Sequence, residues 1–105
     1  MFDYNVLIAQ IECWVEVVMK IVAKVIEVIA WFKENGDIRP IKFRMSDAQS
    51  EVTVVKVDQI IAVEKEKFAG NVMYLFQCQS EIQGEMKRFE LKYEVDTCRW
   101  ILFKI

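Results

Sequence analysis

The side chains in this sequence that could do chemistry are carboxylates, cations and three thiols; histidine is absent. Glu64, Glu66, Glu81, Glu85, Glu90 and Glu94 crowd into its second half. Paired carboxylates can exchange protons with a substrate or hold a hard divalent cation. Lys65, Lys67, Lys87, Arg88 and Lys92 are interleaved with them. Such interleaving reads as a solvated sheet face with cross-strand ion pairs. A carboxylate-based, metal-dependent enzyme is therefore the alternative, and a charged strand surface is the simpler reading.

A second set joins Arg39, Lys42, Arg44 and Lys56 to the nearby aromatics Trp31 and Phe43. Small barrels that hold single-stranded nucleic acid combine a positive groove with stacking rings of this kind. Strand alternation works against it, because Phe43 then points away from Lys42 and Arg44. The whole chain carries 14 basic and 16 acidic residues, a formal charge of −2 and a pI near 5.2. No overall positive field draws it to a polyanion, so no nucleic-acid partner is expected.

Without histidine, neither a Ser-His-Asp nor a Cys-His nucleophile can be built, and the commonest transition-metal ligand is missing. Cys13, Cys78 and Cys98 are odd in number and show no CxxC spacing. In a reducing cytosol they read as small buried apolar residues rather than disulfide partners, metal ligands or nucleophiles. No GxGxxG or GxxxxGK[ST] phosphate loop occurs. Asn35-Gly36 and Gly70-Asn71 are turn chemistry. The expectation is a protein that is not an enzyme and uses no cofactor and no metal.

The elements that must position these groups follow from hydropathy. The 105 residues are 54% hydrophobic, with three Gly and one Pro. That supports a single domain, 1–105, with more apolar side chain than a small monomer easily hides. Tyr4 to Phe32 contains neither Gly nor Pro. Over residues 5–23 the helical period puts Asn5, Glu12, Glu16 and Lys20 on one stripe. Leu7, Ile11, Trp14, Val15, Val18 and Val22 lie opposite. Charges at four-residue steps, from Glu12 to Lys24, argue against a membrane span, which needs about 20 predominantly apolar residues. No basic leader with a small-residue cleavage site is read, so a cytoplasmic location is expected.

From about residue 25 the period changes to two. Ile26, Val28, Ala30 and Phe32 alternate before the turn Glu34-Asn35-Gly36-Asp37. The strand after it sets Ile41, Phe43 and Met45 against Pro40, Lys42 and Arg44, with Pro40 expected at an edge or a bulge. Val52 to about Lys67 reads as one long strand broken near Asp58-Gln59, where alternation slips. Val72 to Ile82, the run Phe89, Leu91, Tyr93 and Val95, and Cys98 to Ile105 supply the rest. Short turns make sequence neighbours antiparallel neighbours. The expected class is α+β: an N-terminal helix at about 5–23, packed on an antiparallel meander of about six strands at about 25–105, either open or curled into an open barrel.

Several strand and turn phrases carry a resemblance. They include Val25-Ile26-Glu27-Val28-Ile29-Ala30-Trp31-Phe32, Asn35-Gly36-Asp37-Ile38-Arg39-Pro40-Ile41-Lys42-Phe43-Arg44 and Lys56-Val57-Asp58-Gln59-Ile60. Ala69-Gly70-Asn71, Phe89-Glu90-Leu91-Lys92-Tyr93-Glu94 and Thr97-Cys98-Arg99-Trp100 add to them. Together they resemble a group of small uncharacterised bacterial proteins from clostridia and related Firmicutes, over about residues 25–105. The resemblance implies no activity, ligand or catalytic residue.

The functional expectation is a non-enzymatic protein-interaction or self-associating module that works as a homodimer or larger closed oligomer. Its candidate interface residues are Ile8, Val17, Met19, Ile21, Trp31, Ile101 and Phe103. The helix would expose the first four on its flanks. Trp31, Ile101 and Phe103 exceed what one sheet face can cover. No separate protein partner is identified, and no membrane association is expected.

Overall fold

Alternating side chains from Ile21 onward build seven strands in a computed structural model, which describes residues 19–46 and 49–105. They are β1 (Ile21–Phe32), β2 (Ile38–Ser46), β3 (Val52–Lys56), β4 (Gln59–Phe68), β5 (Asn71–Ile82), β6 (Glu85–Glu94) and β7 (Arg99–Lys104). All pair antiparallel in one sheet of order β3-β2-β1-β7-β6-β5-β4. The last strand returns beside the first, so the meander is wound around β1 and the sheet curls into a half-barrel.

The expected α+β class is corrected, because none of the described residues is helical. Ile21, Val22 and Ala23, assigned above to the end of a helix, begin β1. Met19 and Lys20 of that expected helix are not helical either, and its residues 5–18 lie outside the described residues. The reason for the error is local. Ala23 has φ +49, and the pairing of β1 with β7 shifts between Ile21 and Lys24. A bulge inserts an extra residue and breaks the period of two, so the start of the strand does not alternate in sequence.

The antiparallel pairing, the short turns and the break near Asp58 stand. The simple meander of about six strands is corrected: the break separates two strands, making seven, β3 and β4 do not pair, and β1 pairs with β7. Lys56 and Gln59 bracket the break, and two residues, Val57 and Asp58, carry the chain from one edge of the sheet to the other. Three Cα steps of ~3.8 Å span at most ~11 Å, so the two edges must meet at this corner. Val57 N–H donates to Ile41 O at 2.9 Å, on β2. The next amide, Asp58 N–H, donates to Ser80 Oγ at 2.9 Å, on β5. Glu81 N–H in turn donates to Asp58 Oδ2 at 3.0 Å.

Pro40 also lies at a bulge as expected, since Ile29 pairs with Lys42 while Ala30 pairs with Pro40. Its consequence reverses the expected faces at that end of β2. Pro40 is buried and Ile41 is exposed. The concave core holds Ile26, Phe43, Phe76, Cys78, Phe89, Leu91, Trp100 and Leu102. Phe43 meets Phe89 edge-on at 5.4 Å between centroids, and Trp100 lies 5.5 Å from Phe76 and 4.9 Å from Tyr93.

Two substitutions test this account. Ser80→Ala removes the acceptor for the Asp58 amide and should cost roughly 1–3 kcal/mol. Urea denaturation should show a lower midpoint with an unchanged slope. Ala69, with Gly70, makes the two-residue turn between β4 and β5 and has φ +51. Asparagine tolerates that conformation better, so Ala69→Asn should stabilise by about 0.5–1 kcal/mol and raise the melting temperature by a few degrees.

Candidate interaction surface

Successive residues of a strand point to opposite sides, so the register assigns each side chain of β1. Ile26 and Val28 pair across to Trp100 and Phe43 and face the core. Val25, Glu27, Ile29 and Trp31 therefore face outward. Val25 is 58%, Ile29 59% and Trp31 57% exposed, and Ile21 at the start of the strand is 68% exposed. Val25 pairs with Ile101, which extends the same convex face onto β7. On the other flank Arg44 pairs with Val54 of β3, which is also exposed. An apolar stripe thus runs along a central strand, where the sheet itself gives it no cover.

Cations of β2 flank this stripe, Arg39 opposite Trp31, Lys42 opposite Ile29 and Arg44 opposite Glu27. Arg44 forms an ion pair with Glu27 across β1 and β2. Lys33 Nζ lies 4.8 Å from the centre of the Trp31 ring. A shallow hollow of about 370 Å³ opens between them, lined by Glu27, Val28, Ile29, Lys42, Phe43, Arg44 and Val54.

Of the expected interface residues, Ile8 and Val17 lie outside the described residues. Ile21 and Trp31 are exposed on β1, while Ile101 and Phe103 are half-buried on β7. Lys92 covers Phe103, its Nζ 3.9 Å from the ring centre and 3.2 Å from Glu66 Oε2. Met19 is half-buried at the other end, beside a small cavity shared with Ile61, Gln77, Cys78, Arg88, Phe89 and Glu90. Sequence reasoning missed Val25, Ile29 and Val54. The signal for the first two was present: they alternate with the core residues Ile26 and Val28 and are as apolar.

Of the basic and aromatic set, the fold takes Phe43 away into the core, 2% exposed, and keeps the rest on the convex face: Arg39 pairs with Trp31, Lys42 with Ile29 and Lys56, and Arg44 is engaged by Glu27. The carboxylates are dispersed. Glu66 pairs with Lys92, and Glu94 accepts from Asn71 Nδ2 at 2.9 Å and from Thr97 Oγ1. Those two hydrogen bonds hold the Glu94 carboxyl below its usual range, with Arg99 adding to the effect. Among the described residues no three carboxylates or thiols are grouped so as to hold a metal ion. No helix among them is long and apolar enough to cross a membrane.

A second concavity of about 500 Å³ lies at the open end of the half-barrel. One wall is the β1–β2 connection with Lys33, Asn35, Gly36, Asp37, Ile38 and Arg39, and the other is Ile60, Val63, Tyr74 and Phe76 of β4 and β5. Gly36 has φ +96 and donates to Lys33 O at 3.0 Å, closing the turn. Asn35 Oδ1 accepts from Asp37 N–H at 3.0 Å and Asn35 Nδ2 donates to Asp37 Oδ2 at 3.2 Å. Side chain and backbone together fix the shape of that wall.

Neither a family model, nor a curated protein, nor a solved structure matches the chain.

The thiols differ from one another. Cys78 is buried in the core, and burial, with Glu90 second, pushes its pKa up to about 12. Cys98 is exposed at φ +57 in the β6–β7 turn, which corrects the expectation that it is buried. The thiolate is the reactive species, so alkylation of the folded protein should modify Cys98 and spare Cys78. Peptide mass spectrometry before and after unfolding in urea reads the difference.

Proposed function

We propose that the protein is a non-enzymatic, self-associating module, a homodimer that joins through the convex face of β1. The observation that carries this reading is the stripe of Val25, Ile29 and Trp31, each more than half exposed on a strand with partners on both sides. Burying such a side chain fully is worth about 1.5–3 kcal/mol. An apolar patch of this extent on a small protein marks a contact surface.

A two-fold axis suits the stripe, because the same patch then serves both subunits. Trp31 projects from one end of the outward row, and the hollow over Glu27, Ile29 and Val54 lies farther along the same face. Each subunit can seat its indole in the hollow of the other when the two strands run antiparallel across the axis. Ile101 and the partly covered Phe103 would form the rim on one side, and Val54 on the other. The Glu27–Arg44 pair, already satisfied within the subunit, would cross the interface without leaving a bare charge. A cytoplasmic location agrees with this reading, since Cys78 and Cys98 are both free thiols.

Sedimentation equilibrium at micromolar concentration tests the proposal. The expected result is a dimer that Ile29→Glu converts to a monomer with an unchanged β-sheet circular dichroism spectrum. Trp31→Ala should weaken dimerisation at least tenfold. A wild-type monomer at these concentrations, or a dimer untouched by Ile29→Glu, would refute the placement on β1.

A further inference from the structure

We propose that the open end of the half-barrel binds a small anionic amphiphile, a carboxylate or phosphate carried on an aromatic or aliphatic body. The cleft of about 500 Å³ falls within the ~300–1,000 Å³ of small-molecule sites, which favour the mouths of β-barrels. This site is separate from the convex stripe and does not depend on dimerisation.

The apolar part of the case is the lining. Ile38, Ile60, Val63, Tyr74 and Phe76 converge on the cleft from both walls. Val63 pairs with Phe76 and so shares the concave face of the core, yet it is 51% exposed. Phe32, at the concave end of β1, is exposed too and packs only its edge on Tyr93, at 5.6 Å between centroids. An inward-facing side of a barrel is where exposure of Val63 and Phe32 is least expected from packing alone. An apolar guest in the cleft would cover them.

The charged part is the sorting along β4. Register pairs Lys65 with Tyr74 and Lys67 with Val72, on the concave side, and Glu64 with Leu75 and Glu66 with Met73, on the convex side. Glu66 is engaged there by Lys92. Alternation has thus placed both lysines of the strand on the cleft's side and both glutamates on the other. Around the opposite wall, Asp37 is held by Asn35, while Lys33 turns its ammonium over Trp31 and Arg39 stands at the rim opposite Trp31. Lys33 and Arg39 line the cleft itself, Lys65 and Lys67 stand on the same face of β4 at and beyond the level of Tyr74, and together these cations select an anion. A concavity of this volume, with one wall made by a five-residue connection, suits a compact body rather than a polymer strand.

The probe is 2-naphthoate, with 2-naphthalenemethanol as its neutral counterpart, titrated into ¹⁵N-labelled full-length protein. Saturable amide shifts should be confined to residues 33–39, Gln59–Phe68 and Asn71–Phe76, and the alcohol should bind at least tenfold more weakly. Lys65→Glu together with Lys67→Glu should weaken naphthoate binding at least tenfold, and Val63→Trp should block it by filling the cleft. Ile29→Glu, placed on the other face, should leave it unchanged, which separates this result from the fate of the dimer. Absence of shifts at millimolar naphthoate overturns the inference. So does equal affinity for acid and alcohol, or insensitivity to the double lysine change. Tighter binding of a single-stranded oligonucleotide to the same amides, falling steeply with salt, would assign the cleft to a polymer and overturn it too.

Discussion

Two consecutive amides hold this fold in its curved form. Val57 N–H bonds to β2, near one end of the seven-stranded order, and Asp58 N–H bonds to the Ser80 hydroxyl on β5, near the other. Ser80 is fully buried, and Asp58 returns the bond by accepting from Glu81 N–H. A sheet without this staple could lie open, with β3 and β4 as two distant edges offering unpaired groups to any passing strand. With it, the two edges meet at one corner, and beyond that corner the cleft opens between the β1–β2 connection and β4. The core depends on the same curvature, since Val55 and Val57, beside β2 in the strand order, join the β5 side chains Phe76 and Cys78 in one cluster only when the sheet is bent.

The sheet uses its two sides differently. The concave side is apolar and aromatic through the core and gains lysines toward the mouth. The convex side carries the ion pairs, but around β1 it is apolar as well. The first asymmetry follows from the order Val63-Glu64-Lys65-Glu66-Lys67, because a period of two separates unlike charges that stand next to one another in the chain. Inward-pointing lysines on an edge strand also oppose strand addition by another molecule. The same residues can therefore serve solubility at the edge and recognition in the cleft. Val25, Ile29 and Trp31 stay more than half exposed even beside the cations of β2, and this exposure is the physical ground for assigning contact between subunits to β1.

Most strands were legible because their alternation is regular, and the break at Val57-Asp58 showed as a slip in that alternation. The failures come from bulges and turn tips. At Ala23 one residue with a left-handed backbone disrupts the period, so Ile21 and Val22 fitted a helical arc and the α+β class followed from it. At Pro40 a second bulge turned the proline inward and Ile41 outward, which alternation alone cannot anticipate. Cys98 read as a buried small residue, yet it occupies the tip of a turn, where Asp96-Thr97 was the available sign. The surfaces were partly legible: Trp31, Ile101 and Phe103 stood out as surplus apolar residues, and Val25 and Ile29 did not, because nothing in a strand of apolar residues says which half meets solvent. The cleft was not legible, since its walls come from segments about 25 to 40 residues apart that only the corner brings together.

The staple at Asp58 makes the molecule behave like a clothes-peg. Its pivot is fixed by bonds to β2 and β5, and its jaws are the β1–β2 connection and the far half of β4. Displacement grows with distance from a pivot, so small changes in sheet twist near Gln59 become large changes in aperture at Lys67. Such a mouth needs no lid. Its width is set by the coiling of the sheet between the pivot and the jaws.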